Sequence, residues 1–331
     1  MAKMAEVKIF DNSNDNTKWE LEKELEYQPL WDLAHGENPH QSAGILKTSG
    51  MADFEIIGEE ALSYNDVINI SELSNILSEF YDVCAVAIVR DSAICGVALA
   101  PDIEEAYNKA FDCDPMSSFF GAIGFSQKVT YEVAKHINSM SVKLIIAPEI
   151  EEDGLKLLKE NKFTKVVLIK TPFKEFKHIL QKEIKITPFG TLYQDINHST
   201  LGKDSFNVVT KTKPTTEQIE DAVFAWKISK YARSNSIIIA KDFKTEAIAQ
   251  GFASPVNAVE FAMNTACDGA KNAILASDNT IPTIDCVYAA AQGRISTIIQ
   301  PGGADNENKI IELADKYNIA MILTGIKNYK H

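Results

Sequence analysis

Residues 273–323 read AILASDNTIPTIDCVYAAAQGRISTIIQPGGADNENKIIELADKYNIAMIL, and the order of apolar runs in this stretch decides the fold. Ala273–Ala276, Thr297–Ile299 and Ala320–Leu323 are short aliphatic runs that read as strands. Between them, Asp285–Ala291 and Glu307–Tyr317 have the length and spacing of helices. Strand and helix in strict alternation define an α/β layer.

The alternation continues upstream. Val256, Val259, Met263 and Ala266 stand at helical spacing in Pro255–Ala266, Ser236–Ala240 is a strand, and Thr216–Tyr231 is a helix that buries Ile219, Val223 and Trp226. The first half shows the same rhythm. A helix over Ser71–Tyr81, capped by Ser71, puts Leu73, Ile76, Leu77 and Phe80 on one face. Strands Cys84–Val89 and Cys95–Leu99 follow, then a helix near Asp102–Phe111 and the run Phe119–Phe125. A helix with Val129, Val133 and Ile137, the strand Leu144–Ala147, the helix Leu155–Glu160 and the strand Val166–Lys170 close this half. The expected fold is therefore α/β, with two three-layer α/β/α subdomains over residues 31–170 and 207–331. Residues 171–206 form an irregular connection. Residues 1–30, with the polar run Asp11–Asn16, are a mobile lead-in. No repeat is visible in the residues themselves.

With 331 residues, 45% hydrophobic and 24% charged, the chain is long enough for two cores. No run approaches the ~18 apolar residues of a membrane span, and Met1–Lys18 has no signal-peptide core, so a cytoplasmic protein is expected, away from membranes. A net charge of −13 argues against a nucleic-acid partner, though a few local cations suffice for a mononucleotide. Cys84, Cys95, Cys113, Cys267 and Cys286 have no paired spacing and read as reduced, mostly core thiols.

Neither a dinucleotide fingerprint nor a phosphate loop of the Gly-x4-Gly-Lys-Ser/Thr type occurs. The His-x-Glu and Pro-Cys-x-x-Cys elements of a zinc deaminase are missing, and the six histidines are scattered, so no zinc or other metal is expected. Gly302-Gly303, after Gln300-Pro301, admits two readings: backbone N–H groups aimed at an anion beside a helix start, or a turn that needs glycine's freedom.

A colinear series of short motifs is more specific. Gly36-Glu37-Asn38-Pro39-His40-Gln41, Leu62-Ser63-Tyr64-Asn65, Cys95-Gly96-Val97-Ala98 and Asp114-Pro115-Met116-Ser117-Ser118-Phe119 come first. Phe224-Ala225-Trp226-Lys227, Ser234-Asn235-Ser236-Ile237, Ala276-Ser277-Asp278, Ile298-Ile299-Gln300-Pro301-Gly302-Gly303 and Thr324-Gly325 follow. The series resembles the AICAR formyltransferase domain of the bifunctional purine-biosynthesis enzyme over about residues 31–331, and the cyclohydrolase domain that usually precedes it is expected to be absent. The resemblance implies a cytidine-deaminase-like fold without zinc. It also implies formyl transfer from 10-formyltetrahydrofolate as co-substrate to aminoimidazole carboxamide ribonucleotide, and a homodimer with sites between chains. A separate cyclohydrolase or an intact formyltransferase paralogue is a further possible partner.

Several ligand positions of that family are altered. Its Lys-His pair corresponds to Arg90-Asp91. An unperturbed aspartate titrates near pH 3.9 against about 6.5 for histidine, so this exchange weakens acid–base catalysis near neutrality. The alternative for Arg90 and Asp91 is a polar pair at a strand end. The family's Arg-Tyr becomes Ala34-His35, its Phe-Phe-Pro-Phe becomes Thr280-Ile281-Pro282-Thr283, a glycine becomes Phe120, and an arginine after Ser254 becomes Pro255. Lys143 stands at an acidic position and Lys327 at an arginine. By resemblance, His35, Gly36, Asn235 and Lys327 contact the ribonucleotide, and Asp285, Gln300 and Pro301 the folate. Asn235 also reads as a turn residue, and Asp285 as a helix cap. Two functions follow: formyl transfer with a degenerate catalytic pair, or a non-catalytic homologue acting as a nucleotide-binding or regulatory subunit. A third, an enzyme acting on another small substrate in the same cleft, needs a rebuilt site that the sequence does not identify.

Overall fold

The computed structural model describes residues 5–11, 20–47, 50–202 and 205–331. The described part of the lead-in is not irregular. Strands β1 (Ala5–Asp11) and β2 (Glu20–Asp32) pair antiparallel, and β2 pairs onward with β3 (Gly44–Lys47). Asn12–Asn16 of the polar run lie outside the described residues.

The first half contains β4 (Phe54–Ile57), α1 (Tyr64–Ser78), β5 (Cys84–Arg90), β6 (Ala93–Ala100), α2 (Ile103–Phe111), α3 (Pro115–Ser118), β7 (Ala122–Phe125), α4 (Tyr131–Asn138), β8 (Leu144–Ala147), α5 (Glu152–Glu160) and β9 (Lys165–Ile169). The connection, expected to be irregular, carries α6 (Phe176–Ile179) and a hairpin of β10 (Lys182–Thr187) and β11 (Gly190–Asp195). The second half contains β12 (Asn207–Val208), α7 (Thr216–Ser229), β13 (Ile237–Lys241), β14 (Lys244–Ala249), α8 (Pro255–Ala266), β15 (Ile274–Ser277), α9 (Ile284–Gln292), β16 (Thr297–Gln300), α10 (Glu307–Lys316) and β17 (Ala320–Leu323).

The α/β class holds, but the halves do not form separate sheets. They make one 12-stranded sheet in the order β12-β17-β16-β15-β13-β14-β6-β5-β7-β8-β9-β4. The joint is short: Lys244 pairs with Ala98, Leu99 N–H donates to the Phe243 carbonyl at 2.9 Å, and Val97 N–H donates to Thr245 Oγ1 at 2.9 Å. Read outward from the joint, each half has the same strand order and directions. The repeat invisible in the residues is thus explicit in the topology.

Helices α1 and α7 cover one face. Leu73, Ile76 and Leu77 share a single core with Phe224, Ala225 and Ile228, and this core spans both halves. The other face has two cores, one under α2 and α4, one under α8, α9 and α10. Phe224 and Trp226 are 1% and 3% exposed and belong to the shared core.

Helix α1 starts at Tyr64 rather than Ser71. Ser63 and Asp66 form a reciprocal capping box that satisfies two N–H groups at the helix start, whereas Ser71 Oγ donates to the Val67 carbonyl inside the helix. The first-turn box decided the boundary, and the apolar run made the helix look shorter. Among the described residues, no helix is long and apolar enough to cross a membrane.

Candidate active site

The sheet directions bring the altered family positions to one end. Val89 at the end of β5 pairs with Ala122 at the start of β7, and Ile237 at the start of β13 pairs with both Ala249 and Ser277. The Gln250 amide, just past β14, donates to the Ile94 carbonyl at 2.9 Å and so reaches the start of β6. This end therefore holds the β5–β6 turn, the start of β13 and the carboxyl ends of the parallel strands β15, β16 and β17. Open α/β sheets bind ligands outside such carboxyl ends.

Arg90 is the last residue of β5, and Asp91 and Ser92 form the hairpin turn with φ of 50° and 63°. Both central residues in the left-handed region make this a two-residue turn of the kind that suits strand twist, where Asp is well tolerated. Ser92 N–H donates to Asn69 Oδ1 at 2.9 Å, which pins the turn to α1. The Arg90 guanidinium lies 3.7 Å from the Asp91 carboxylate and reaches the Phe119 carbonyl at 3.4 Å. The Asp91 side chain is 70% exposed.

Asn235 sits where β13 begins. Its amide donates to the Phe252 carbonyl at 2.9 Å, and its Oδ1 accepts from Asn279 at 3.2 Å. Behind it lies Asp278, which sequence reading quoted within a motif but gave no role. Its fully buried carboxylate accepts from Ser234 Oγ and from Ser236 N–H, the latter at 2.7 Å. Burial pushes this carboxyl up, and the hydrogen bonds from Ser234 and Ser236 oppose the shift. The signal available in sequence was a lone carboxylate ending an aliphatic strand.

Gln300 and Pro301 are buried. Gln300 Oε1 accepts from Ile281 N–H at 2.8 Å and thereby holds the 279–281 loop in place. At Gly302 and Gly303 the φ angles are 84° and 88°, so the turn requires glycine. Its potential anion cradle is filled from within, because Gly303 N–H donates to the Glu307 carboxylate at 2.6 Å. Asp285 is exposed in the first turn of α9 and is not its cap, which is Thr283. Lys327 is exposed, 5.4 Å from the Tyr329 ring centroid.

Half-buried His35 contacts the Gly36 carbonyl through Nδ1 at 2.7 Å, and its own carbonyl accepts from Tyr64 N–H at 3.0 Å, fixing this loop to the start of α1. Gly36 N–H donates to the Gln41 carbonyl at 2.8 Å. The Asn69–Ser92 bond places the start of α1 at the Arg90 end of the sheet, and His35 with it.

Thus Asn235 is bonded to Asn279, Asp278 braces the Ser234–Ser236 segment that carries Asn235, Gln300 holds the neighbouring 279–281 loop, and Gln250 ties this group across the joint to Ile94 at the start of β6, while His35, Lys327 and Asp285 stand around this end without bonding to one another. Among the described residues, no three His, Cys, Asp or Glu side chains converge to hold a metal ion. Burial pushes the Cys95 and Cys113 thiols up to about 12, leaving them protonated core groups.

The fold is a doubled α/β/α sheet whose polar loops gather at the carboxyl edge of one half. A family model described as AICARFT/IMPCHase bienzyme matches residues 4–265, and the chain belongs to that family. It is 37% identical over 341 residues to the bifunctional purine biosynthesis protein PurH of Chlorobaculum parvum, covering 100% of this chain and 63% of that protein. To the PurH of a Thermoanaerobacter species it is 36% identical, covering 92% and 60%. To that of Dictyostelium discoideum it is 34% identical, covering 92% and 58%. The chain therefore spans about 60% of the length of the curated relatives it matches.

Proposed function

We propose that this chain acts in purine biosynthesis by transferring a formyl group from 10-formyltetrahydrofolate to aminoimidazole carboxamide ribonucleotide. The observation that carries the proposal is the gathering of the family-matching positions at one end of the sheet. In this reading Asn235 binds the carboxamide, His35, Gly36 and Lys327 flank the ribonucleotide, and Asp285 faces the folate above the loop that Gln300 and Pro301 support. The amine nitrogen attacks the formyl carbon, and the bond from that carbon to the folate nitrogen breaks. Arg90 stabilises the developing oxyanion, and the Asp91 carboxylate accepts the proton leaving the amine and passes it to the departing folate nitrogen.

The span of these positions favours a homodimer. Lys143 precedes β8 and Lys327 follows β17, eight strand steps apart in the sheet, or roughly 40 Å at about 4.8 Å per step. One nucleotide does not bridge that distance, so the positions are shared between two chains. The exposed β10–β11 hairpin, with Ile186 82% and Phe189 101% exposed, supplies apolar surface for a second copy.

A second reading has its own observation. Asp91 occupies a turn whose geometry needs no catalytic explanation, which favours a nucleotide-binding or regulatory subunit without turnover. A formyl-transfer assay with both substrates, run beside calorimetric titration of the ribonucleotide and light scattering, separates them. Turnover is expected; ribonucleotide binding without turnover selects the second reading, and a clean monomer at micromolar concentration rules out the shared site.

A further inference from the structure

The opposite end of the sheet carries a copy of the candidate site's framework. Val86 pairs with Phe125 as Ile237 pairs with Ser277. One residue on, Ala85 N–H donates to Ser126 Oγ at 2.8 Å, as Ser236 N–H donates to Asp278 at 2.7 Å. One residue further, Cys84 meets Gln127 Oε1 at 3.2 Å, as Asn279 meets Asn235 at 3.2 Å. Cys84 and Gln127 thus occupy the places of Asn235 and Asn279. The carboxyl ends of β7, β8 and β9 face this end, where the second half presents its β13–β14 turn and the amino ends of β15, β16 and β17.

Here the carboxyl edge opens into a cleft of about 410 Å³, within the size range of small-molecule sites. Pro148, Ile169 and Pro172 give it an apolar wall, and the Tyr81 ring, 50% exposed, stands at its side. Its polar groups are unevenly committed. Ser126 Oγ is spent on the Val83 carbonyl at 2.7 Å, and Lys170 is paired with Glu55 at 2.9 Å. Thr171 Oγ1 accepts from Asp53 N–H at 2.7 Å and keeps its own proton to donate. The Lys174 side chain is exposed, lines the cleft and has no hydrogen bond or ion pair among the described residues. An uncommitted cation and a free hydroxyl proton beside an aromatic ring and proline walls define the chemistry of the occupant.

We propose that this cleft is a second small-molecule site, which takes a small organic anion: a carboxylate or phosphate group held by Lys174 and Thr171, on a flat apolar body packed against Tyr81 and Pro172. It is separate from the site at the other end and does not depend on the reaction assigned there.

The test titrates the full chain with phenyl phosphate, with benzoate and with inorganic phosphate, followed by NMR. One of the two aromatic anions is expected to shift the Tyr81 and Thr171 resonances saturably, and inorganic phosphate to bind more weakly than phenyl phosphate. Lys174→Glu is expected to weaken that binding roughly tenfold or more, and Asn235→Ala to leave it unchanged. Lys174→Gln and Thr171→Val serve as milder variants. The proposal is overturned if neither aromatic anion shifts those resonances, or if binding survives Lys174→Glu and Thr171→Val within about twofold. Loss of the response in Asn235→Ala would move the ligand to the other end and overturn it as well.

Discussion

The two halves share a chain path and differ in what they do with it. Asn69 and Asp221 hold the same position, the sixth residue of α1 and of α7, and each clamps the hairpin turn of its own half. Asn69 accepts one N–H, from Ser92. Asp221 accepts two, from Asp242 at 2.9 Å and Phe243 at 2.8 Å. The turns are equally alike, since Asp91-Ser92 and Asp242-Phe243 all have φ between 50° and 63°. The comparison teaches that Asp91 has a structural counterpart far from the candidate site. An aspartate there suits a left-handed turn, whatever chemistry is added to it.

The strongest break in the symmetry lies where α1 and α7 end. The C-cap of α1 is Glu79 and that of α7 is Lys230, and the two are ion-paired at 2.7 Å with side chains 1% and 6% exposed. Lys177 and the Tyr231 hydroxyl also bind this carboxylate, at 2.7 and 2.8 Å. Removing the carboxylate strands a buried ammonium. Glu79→Ala should therefore cost about 3–5 kcal/mol in urea unfolding. Burial alone would raise the Glu79 carboxyl, but Lys230 and Lys177 outweigh it and hold the group below its ordinary value of 4.5. A carboxyl lowered on folding contributes stability that is complete above its unfolded value and is lost as pH falls through the folded one. The wild type should lose stability as pH drops below about 4.5, and Glu79→Ala should show a flatter profile over that window.

The next largest effect concerns one strand position. Gly96 in β6 pairs with Ile88 as Ala247 in β14 pairs with Ile239, so the two are equivalent. A Cβ at Gly96 would run into the backbone carbonyl of Ala110 in α2, which no side-chain rotation relieves. Gly96→Ala is expected to cost about 3 kcal/mol, at the upper end of overpacking costs. Ala247→Gly should cost only about 1 kcal/mol. Equal costs would show that α2 shifts as easily as a side chain.

The turn clamps come third. Asp221→Ala removes two hydrogen bonds to a carboxylate and should cost about 1.5–3 kcal/mol, whereas Asn69→Ala removes one neutral bond and should cost about 0.5–1.5 kcal/mol. Hydrogen exchange at Phe243 and Ser92 reads each turn directly. A larger effect from Asn69→Ala would mean that the first turn, and not the second, carries the greater constraint.

Much of this was legible in sequence, for physical reasons. Leu144–Ala147, Pro255–Ala266 and Ala320–Leu323 were placed to the residue, because aliphatic runs flanked by polar turns leave little freedom. The single sheet was not legible. It depends on a joint between β6 and β14 made by backbone groups and by Thr245 and Gln250, none of which has a periodic signature. The site was legible as a set of positions and not as a set of roles: Gln300, Asp278 and Gly303 spend their polar groups inside the fold, and a motif does not say which way a side chain's bonds are spent.

The smallest expected change in stability tests the comparison most sharply. Asp91→Asn keeps a side chain that tolerates φ of 50°, leaves the Asn69–Ser92 bond intact and removes only an exposed pairing with Arg90 at 3.7 Å. Its unfolding free energy should stay within about 0.5 kcal/mol of wild type, as is usual for surface positions. Asp242→Asn, in the equivalent turn at the opposite end of the sheet, should behave the same way. The two variants part company in turnover. If the Asp91 carboxylate takes the amine proton, Asp91→Asn lowers formyl transfer by roughly a hundredfold, a typical loss for a proton-transfer group, with the ribonucleotide's affinity unchanged. Asp242→Asn then leaves turnover at the wild-type rate and serves as the structural control. Equal turnover in both variants would make Asp91 a turn residue in both stability and chemistry, and would leave Arg90 as the part of the altered pair that still faces the substrate.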